Sequence, residues 1–265
     1  MSVKLSQVTD ALEHFAPLPL QEDWDNAGLQ VGLTEGEDVS GALLCLDVTR
    51  QIVDEAVSRG CNLIVSHHPL LFHGLKRLTQ DDPVGQAVIA AVRSNVAIVS
   101  MHTNLDNAPG GVNWMMARRL GLVDCQPFGP RRQAGDVVGA AGVAGRLPQH
   151  LQAGEFVDRV KQAFGVECAL CNELLQRPIQ TVALCGGAGD FLLPEAVRMG
   201  ADAFVTGEMH YHQYFGYEQR LQICVIGHYQ SEQFTMQLLQ EMLAQCLPAL
   251  RTCVTETNTN PIKYL

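Results

Sequence analysis

Residues 56–66, AVSRGCNLIVS, align without a gap to residues 196–206, AVRMGADAFVT, with four identities, Asn62 against Asp202 and Ser66 against Thr206. Each copy reads as a helix end, a glycine turn, an apolar strand and a polar cluster, HHP in the first and GEMHYH in the second. The next strands repeat the pattern. AIVSMHTNLD ends its strand with His102 and has Asp106 four residues later, and CVIGHYQSE ends with His228 and has Glu232 four residues later. Ordered recurrence of a whole unit predicts a duplicated α/β motif, two equivalent halves that bring equivalent strand ends together.

Short β-like runs alternate with helical periodicity along the whole chain. Strands are expected at 42–47, 62–66, 96–100, 181–185, 203–206 and 222–226, and helices at 49–58, 83–94, 155–164, 192–199 and 231–247. That alternation predicts an α/β fold with largely buried sheets. At the start, Leu5, Val8, Leu12 and Phe15 recur at helical spacing with Ser2 or Ser6 as a cap. The Gly/Ala-rich stretch from Arg131, RRQAGDVVGAAGVAG, reads as a seam, giving a first repeat over 1–130 and a second over 131–265.

A formal net charge of −10 without any run of Lys or Arg weighs against nucleic acid or an anionic membrane as partner. A small molecule or a protein is the expected partner. No apolar run approaches the roughly 18 to 20 residues that span a bilayer, and the N-terminus reads as an amphipathic helix of a cytoplasmic protein. The nine cysteines are an odd number, and Cys45, Cys185 and Cys224 lie inside apolar runs. Reduced, buried thiols are expected. Cys168 and Cys171 form a CxxC, but no second pair stands at zinc-site spacing.

Seven of the nine histidines, His67, His68, His73, His102, His210, His212 and His228, fall at or just beyond expected strand ends. In NLIVSHHPLLFHG, Pro69 cannot donate a ladder hydrogen bond and disfavours helix at His68. The histidine pair therefore sits where strand gives way to loop and both imidazoles can aim at one object. Ligands of open α/β sheets collect at the carboxyl ends of strands.

Five ordered blocks, WDNAGLQVG (24–32), SHHPLLF (66–72), MHTNLDNAPGGVN (101–113), TGEMHYH (206–212) and GHYQSE (227–232), resemble the signature blocks of the Nif-three-like family. The similarity is to its short bacterial YbgI type, many of whose members carry the label GTP cyclohydrolase 1 type 2 homologue. This resemblance covers essentially the whole chain. It implies two intertwined α/β repeats with mixed sheets, layered α/β/α, and a homohexameric ring. It also implies two divalent metal ions per subunit, with His67, His68, Asp106, His228 and Glu232 as ligands.

Imidazole and carboxylate donors suit zinc, iron, manganese, cobalt or nickel, and lack the all-thiolate set of a closed structural zinc site. Either Asp106 or Glu232 could bridge two ions; Glu232 is the choice here. Two dications against two carboxylates draw in a small anionic substrate, and metal-assisted hydrolysis is the natural reaction class, with the family label pointing to a GTP cyclohydrolase-like reaction. The alternative is a metal-handling or scaffold protein without turnover.

His102, the counterpart of His228, is the candidate catalytic residue, orienting a ligand or moving a proton; a plain strand-end hydrogen bond is the competing reading. Glu208 reads as a carboxylate behind a ligand or as a helix cap, and His210 and His212 as pocket-side residues of the second repeat. Trp24 offers a stacking face, while Asp25 and Asn26 are expected to make local turn bonds. GGAGD (186–190) could cradle a phosphate or form a tight strand-to-helix turn. His73, Lys76 and Arg77 are placed on a solvated loop.

Overall fold

The computed structural model describes residues 2–32 and 37–263. The chain divides into two compact units, Met1–Leu105 with Thr235–Leu265, and Asp106–Phe234. In the first unit, β1 (Val3–Lys4) leads into α1 (Leu5–Phe15), which buries Leu5, Val8 and Leu12 as their spacing predicts. Its first turn is closed by the Gln7 side chain, whose Oε1 accepts from the Lys4 amide at 2.9 Å. Neither Ser2 nor Ser6 caps it: Lys4 stands at the cap position, two residues after Ser2, and Ser6 is already inside the helix.

WDNAGLQVG runs from a loop into β2 (Gly28–Val31), followed by β3 (Asp38–Val39), β4 (Ala42–Cys45), α2 (Arg50–Ser58), β5 (Leu63–Ser66), α3 (Pro83–Arg93) and β6 (Ala97–Ser100). Thr49 Oγ1 accepts from the Ile52 amide at the start of α2, and Asp82 Oδ2 from the Gly85 amide at the start of α3. Strands β4, β5 and β6 pair in parallel, and β2 joins β6 antiparallel. Every residue of β4, β5 and β6 is buried, as a sheet covered on both faces requires. Leu43, Cys45, Ile64 and Ile98 pack with Ile52, Val53 and Ala56 of α2 and Ala87 and Ala91 of α3.

α4 (Thr103–Asn107) carries the chain across the unit boundary. The second unit continues with α5 (Val112–Leu120), β7 (Val123–Ala134), β8 (Val137–Leu151), α6 (Ala153–Phe164), β9 (Leu170–Cys171), β10 (Ile179–Cys185), α7 (Leu193–Arg198), β11 (Ala203–Thr206), β12 (Gln222–Val225) and α8 (His228–Glu232). Its sheet has the order β7-β8-β10-β11-β12-β9, parallel through β10, β11 and β12 and antiparallel elsewhere. Val143, Val182, Leu184 and Val205 pack with α5 and α6, while Ala144, Ala183, Phe204 and Ile223 pack with α7. This unit is an α/β/α layer.

The chain then returns to the first unit through α9 (Thr235–Cys246), which packs on α1 and β4, and β13 (Thr252–Val254), which pairs in parallel with β4. The single helix expected over 231–247 is thus two, interrupted where one unit gives way to the other. Among the described residues no helix is long and apolar enough to cross a membrane. The α/β class expected from the alternation, with the mixed sheets that the family resemblance implied, is what the structure has.

The duplicated segments fold alike. α2 and α7 each end before a glycine with positive φ, Gly60 at 66° and Gly200 at 79°, and each chain then enters a central parallel strand. The backbone carbonyls of Asn62 and Asp202 accept from Ala97 and Gln222, the residues that open the next strand pairing in each unit. Arg131 and the residues after it form no seam. Residues 130 and 131 both lie inside β7, and the Gly/Ala run builds β8, whose glycines permit close packing: a Cβ at Gly142 would stand 2.6 Å from the Leu184 carbonyl oxygen.

Candidate metal centre

In the first unit, β5 hands over to His67 and His68 while its pairing continues, since their amides donate to the carbonyls of Cys45 and Leu46. Ser66 Oγ bonds Ser100 Oγ at 2.8 Å and donates to the His68 carbonyl at 2.9 Å, which fixes the turn into Pro69. One ring nitrogen from each of His67, His68 and His102 lies within 4.8 Å of the other two. Their ring centroids are 4.9 to 5.5 Å apart.

Each of these imidazoles has its Nδ1 against an acceptor. His67 Nδ1 is 2.7 Å from the Met101 carbonyl, His68 Nδ1 is 2.7 Å from Asp47 Oδ1, and His102 Nδ1 is 2.6 Å from Asp25 Oδ1. With a carbonyl or a carboxylate as the partner, Nδ1 carries the proton and Nε2 the lone pair. Three lone-pair nitrogens oriented from behind and gathered this closely fit a borderline divalent cation. Burial pushes the Asp47 carboxyl up, but the His68 hydrogen bond and charge and the Thr259 hydroxyl outweigh it and hold the acid below its ordinary range. Asp25 is held down in the same way by His102 and Thr103 against its own burial.

Asp25 makes the local bond expected of it, accepting from the Asn26 amide at 2.7 Å. It does more: its other oxygen takes the Thr103 amide at 3.0 Å and a short bond from the Thr103 hydroxyl, so the WDN loop is tied to the residues around His102. Trp24, 60% exposed, has its ring 6.1 Å from that of His102 and 5.9 Å from that of Phe72. His73, Lys76 and Arg77 are exposed, as the sequence suggested.

In the second unit, Asp106 lies in α4, and its carbonyl accepts from Asn113 Nδ2 at 3.0 Å. Gly227, with φ of 97°, turns β12 into α8, which carries His228 and the buried Glu232 one turn apart. Their Nε2 and Oε2 atoms are 3.1 Å apart, and His228 Nδ1 is 3.4 Å from Glu208 Oε2. Glu208 therefore stands behind His228 and caps no helix. Gly187, with φ of 56°, lies under this pair, and a Cβ there would come within 2.6 Å of Glu232 Oε1.

The GGAGD stretch is a tight turn. Three of its amides are taken inside the unit, Gly186 donating to Asn113 Oδ1, Gly187 to Ser231 Oγ and Gly189 to Thr206 Oγ1. That favours the tight turn over a phosphate cradle. His210, with a side chain 90% exposed, has Nδ1 3.6 Å from Asp190 Oδ2, and the exposed His212 stacks on Phe215. Cys171 Sγ is 3.8 Å from Cys224 Sγ, Cys168 is exposed, and none of the nine cysteines is in a disulfide.

The structure thus gathers His67, His68 and His102 in one unit and His228 with Glu232 in the other, with Asp106 on the helix that opens it. Sequence reading missed Asp47 as the partner of His68. Its signal was available: Asp47 closes the apolar run of β4, the strand beside β5, so it emerges at the same sheet end as the histidine pair.

Residues 3–261 match the family described as Duf34/NIF3 (NGG1p interacting factor 3). A relative from Clostridium acetobutylicum named "GTP cyclohydrolase 1 type 2 homolog" is 30% identical over 269 residues, covering 100% of both chains. Among solved structures, a Bacillus cereus protein related to NIF3 superposes with a TM-score of 0.90 at 23% identity over 100% of both chains. A protein titled ybgI, of unknown function, gives 0.83 at 22% identity over 98% of this chain and 100% of its own. At those identities the two structures speak for the fold.

Proposed function

Since the chain belongs to the Duf34/NIF3 family, we propose that it binds two divalent metal ions through His67, His68, Asp106, His228 and Glu232 and hydrolyses a small phosphorylated or nucleotide substrate. The resemblance read from the five sequence blocks is borne out by the family match. The observation that carries the metal reading is the adjacent imidazole pair of His67 and His68, whose ring centroids are 4.9 Å apart and each of whose Nδ1 atoms is held by an acceptor, which leaves both Nε2 lone pairs for an ion. Such backing fixes tautomer and orientation and raises ligand basicity.

Divalent ions bound by these residues supply Lewis acidity and lower the pKa of water toward neutrality. The chain's own groups do the rest. Asp47 and the Met101 carbonyl hold the Nδ1 protons of His68 and His67, which keeps both Nε2 lone pairs available. His102 with Asp25 behind it forms a dyad that accepts and returns a proton, the carboxylate steadying the imidazolium that forms. Trp24, exposed beside His102, offers a face on which a heterocycle stacks. The name borne by the Clostridium relative points to nucleotide ring opening as the most specific version of this chemistry.

The same reading has the protein act as a homohexameric ring in the cytoplasm, where nine cysteines outside any disulfide stay reduced. Light scattering at six chain masses supports the ring, and a monomer contradicts it. For the activity, protein stripped by a chelator is reloaded with zinc, manganese, cobalt, iron or nickel and assayed against nucleoside triphosphates, phosphomonoesters and amides. Metal-dependent product release supports hydrolysis; stoichiometric metal with no turnover on any substrate favours metal handling.

A further inference from the structure

Beyond β13 the chain does not simply trail off. Thr255 donates its amide to the Leu44 carbonyl at 2.9 Å, and the segment then wraps over the Glu55 carboxylate of α2. Thr255 Oγ1 and Thr257 Oγ1 donate to Glu55 Oε2 at 2.5 and 2.8 Å, and the Glu256 amide donates to Oε1 at 2.9 Å. Arg59 closes the clamp from behind, with Nη1 2.9 Å from Glu55 Oε1 and 3.0 Å from the Val254 carbonyl. Four donors on one carboxylate outweigh its desolvation and hold Glu55 down to about 2.

Two residues past the clamp, Thr259 Oγ1 donates to Asp47 Oδ2 at 2.7 Å. The other oxygen of the same carboxylate faces His68 Nδ1 at 2.7 Å. A carboxylate just past a strand end has several rotamers, and only one of them faces the imidazole. Two partners, one at each oxygen, select that rotamer. The tail is further stiffened by its own turns, in which the Asn260 and Ile262 amides donate to the side chains of Asn258 and Asn260.

From this geometry we infer that residues 255–260 are a strap, pinned by Glu55, whose Thr259 hydroxyl is a positioning group for His68 acting through Asp47. The inference rests on the reading of His68 as a metal ligand. Sequence spacing hides it, because Thr259 and Asp47 are 212 residues apart. The strap links the last segment of the chain to the site, so metal affinity depends on whether the C-terminal segment is docked.

The test measures zinc and cobalt affinity by chelator competition, with the cobalt absorption spectrum as a reporter of ligand geometry, in the full chain. Thr259→Val is expected to weaken binding about tenfold, the lower end of what loss of a group behind a metal ligand costs, and to alter the cobalt spectrum. Thr259→Ser keeps the hydroxyl and is expected to bind as wild type. Glu55→Gln is expected to weaken binding and to speed amide exchange at residues 255–257, while far-ultraviolet circular dichroism stays unchanged. If Thr259→Val binds like wild type, or Thr259→Ser is as weak as the valine variant, the strap has no positioning role. His68→Ala serves as the control: undiminished affinity in that variant overturns the reading of the metal site itself, a failure distinct from that of the strap.

Discussion

The Asp25 carboxylate stands 2.6 Å from Nδ1 of His102, a residue 77 positions further along the chain, and grips Thr103 with its second oxygen. A loop that precedes β2 thereby fixes the orientation of an imidazole that follows β6. The relation matters because an imidazole held at Nδ1 by a carboxylate is both a ligand in the right tautomer and a proton acceptor steadied from behind. These two roles separate by experiment.

His102→Ala is expected to retain bound metal and to lose about a hundredfold or more in turnover, the usual contribution of a positioned acid or base. Asp25→Asn is expected to lower turnover less and to shift its pH profile. Elemental analysis and steady-state kinetics on the same preparations check both. Loss of metal in His102→Ala would make His102 a ligand instead.

Gly187→Ala is expected to destabilise the protein by about 1–2 kcal/mol from its left-handed backbone alone, with a further cost from the contact with Glu232 Oε1. Gly154→Ala in α6 is the control, since nothing lies within 4 Å of its added Cβ. It is expected to be neutral or stabilising by about 0.4–1 kcal/mol. Urea denaturation of the two variants reads the contrast. Gly187→Ala should also bind metal more weakly, because Glu232 must shift.

Much of the architecture was legible because it rests on local pattern. The alternation of apolar runs placed all six central strands, and the paired segments at 56–66 and 196–206 fold as equivalent helix, turn and strand. What was hidden depends on distance in sequence. Asp47 reaches His68 across 21 residues and Thr259 reaches Asp47 across 212, and no periodicity encodes such a partner. The β7–β8 hairpin was misjudged for another reason: glycine and alanine in β8 serve close approach of neighbouring strands and loops, yet the same composition reads as a break. At GGAGD the sequence left a tight turn and a phosphate cradle as alternatives, and the side chains that take three of its amides, Asn113, Ser231 and Thr206, come from distant segments.

Acid is expected to release the C-terminal segment before the sheets unfold. Glu55 has a folded-state pKa lowered from 4.5 to about 2, so its contribution is complete above pH 4.5 and is lost as pH falls toward 2. Amide exchange at Thr255 and Glu256 followed over that window should accelerate in the wild type. In Glu55→Gln it should already be fast at neutral pH and vary little with acid beyond the intrinsic exchange rate.

The most direct measurement is the metal content of purified wild type, His68→Ala and Glu232→Ala, taken by elemental analysis after equal exposure to metal and dialysis. The wild type is predicted to hold two divalent ions per chain and both variants to lose most of them while circular dichroism remains that of the folded protein, because the buried apolar clusters of each unit do not depend on metal. Full occupancy in both variants would contradict the account.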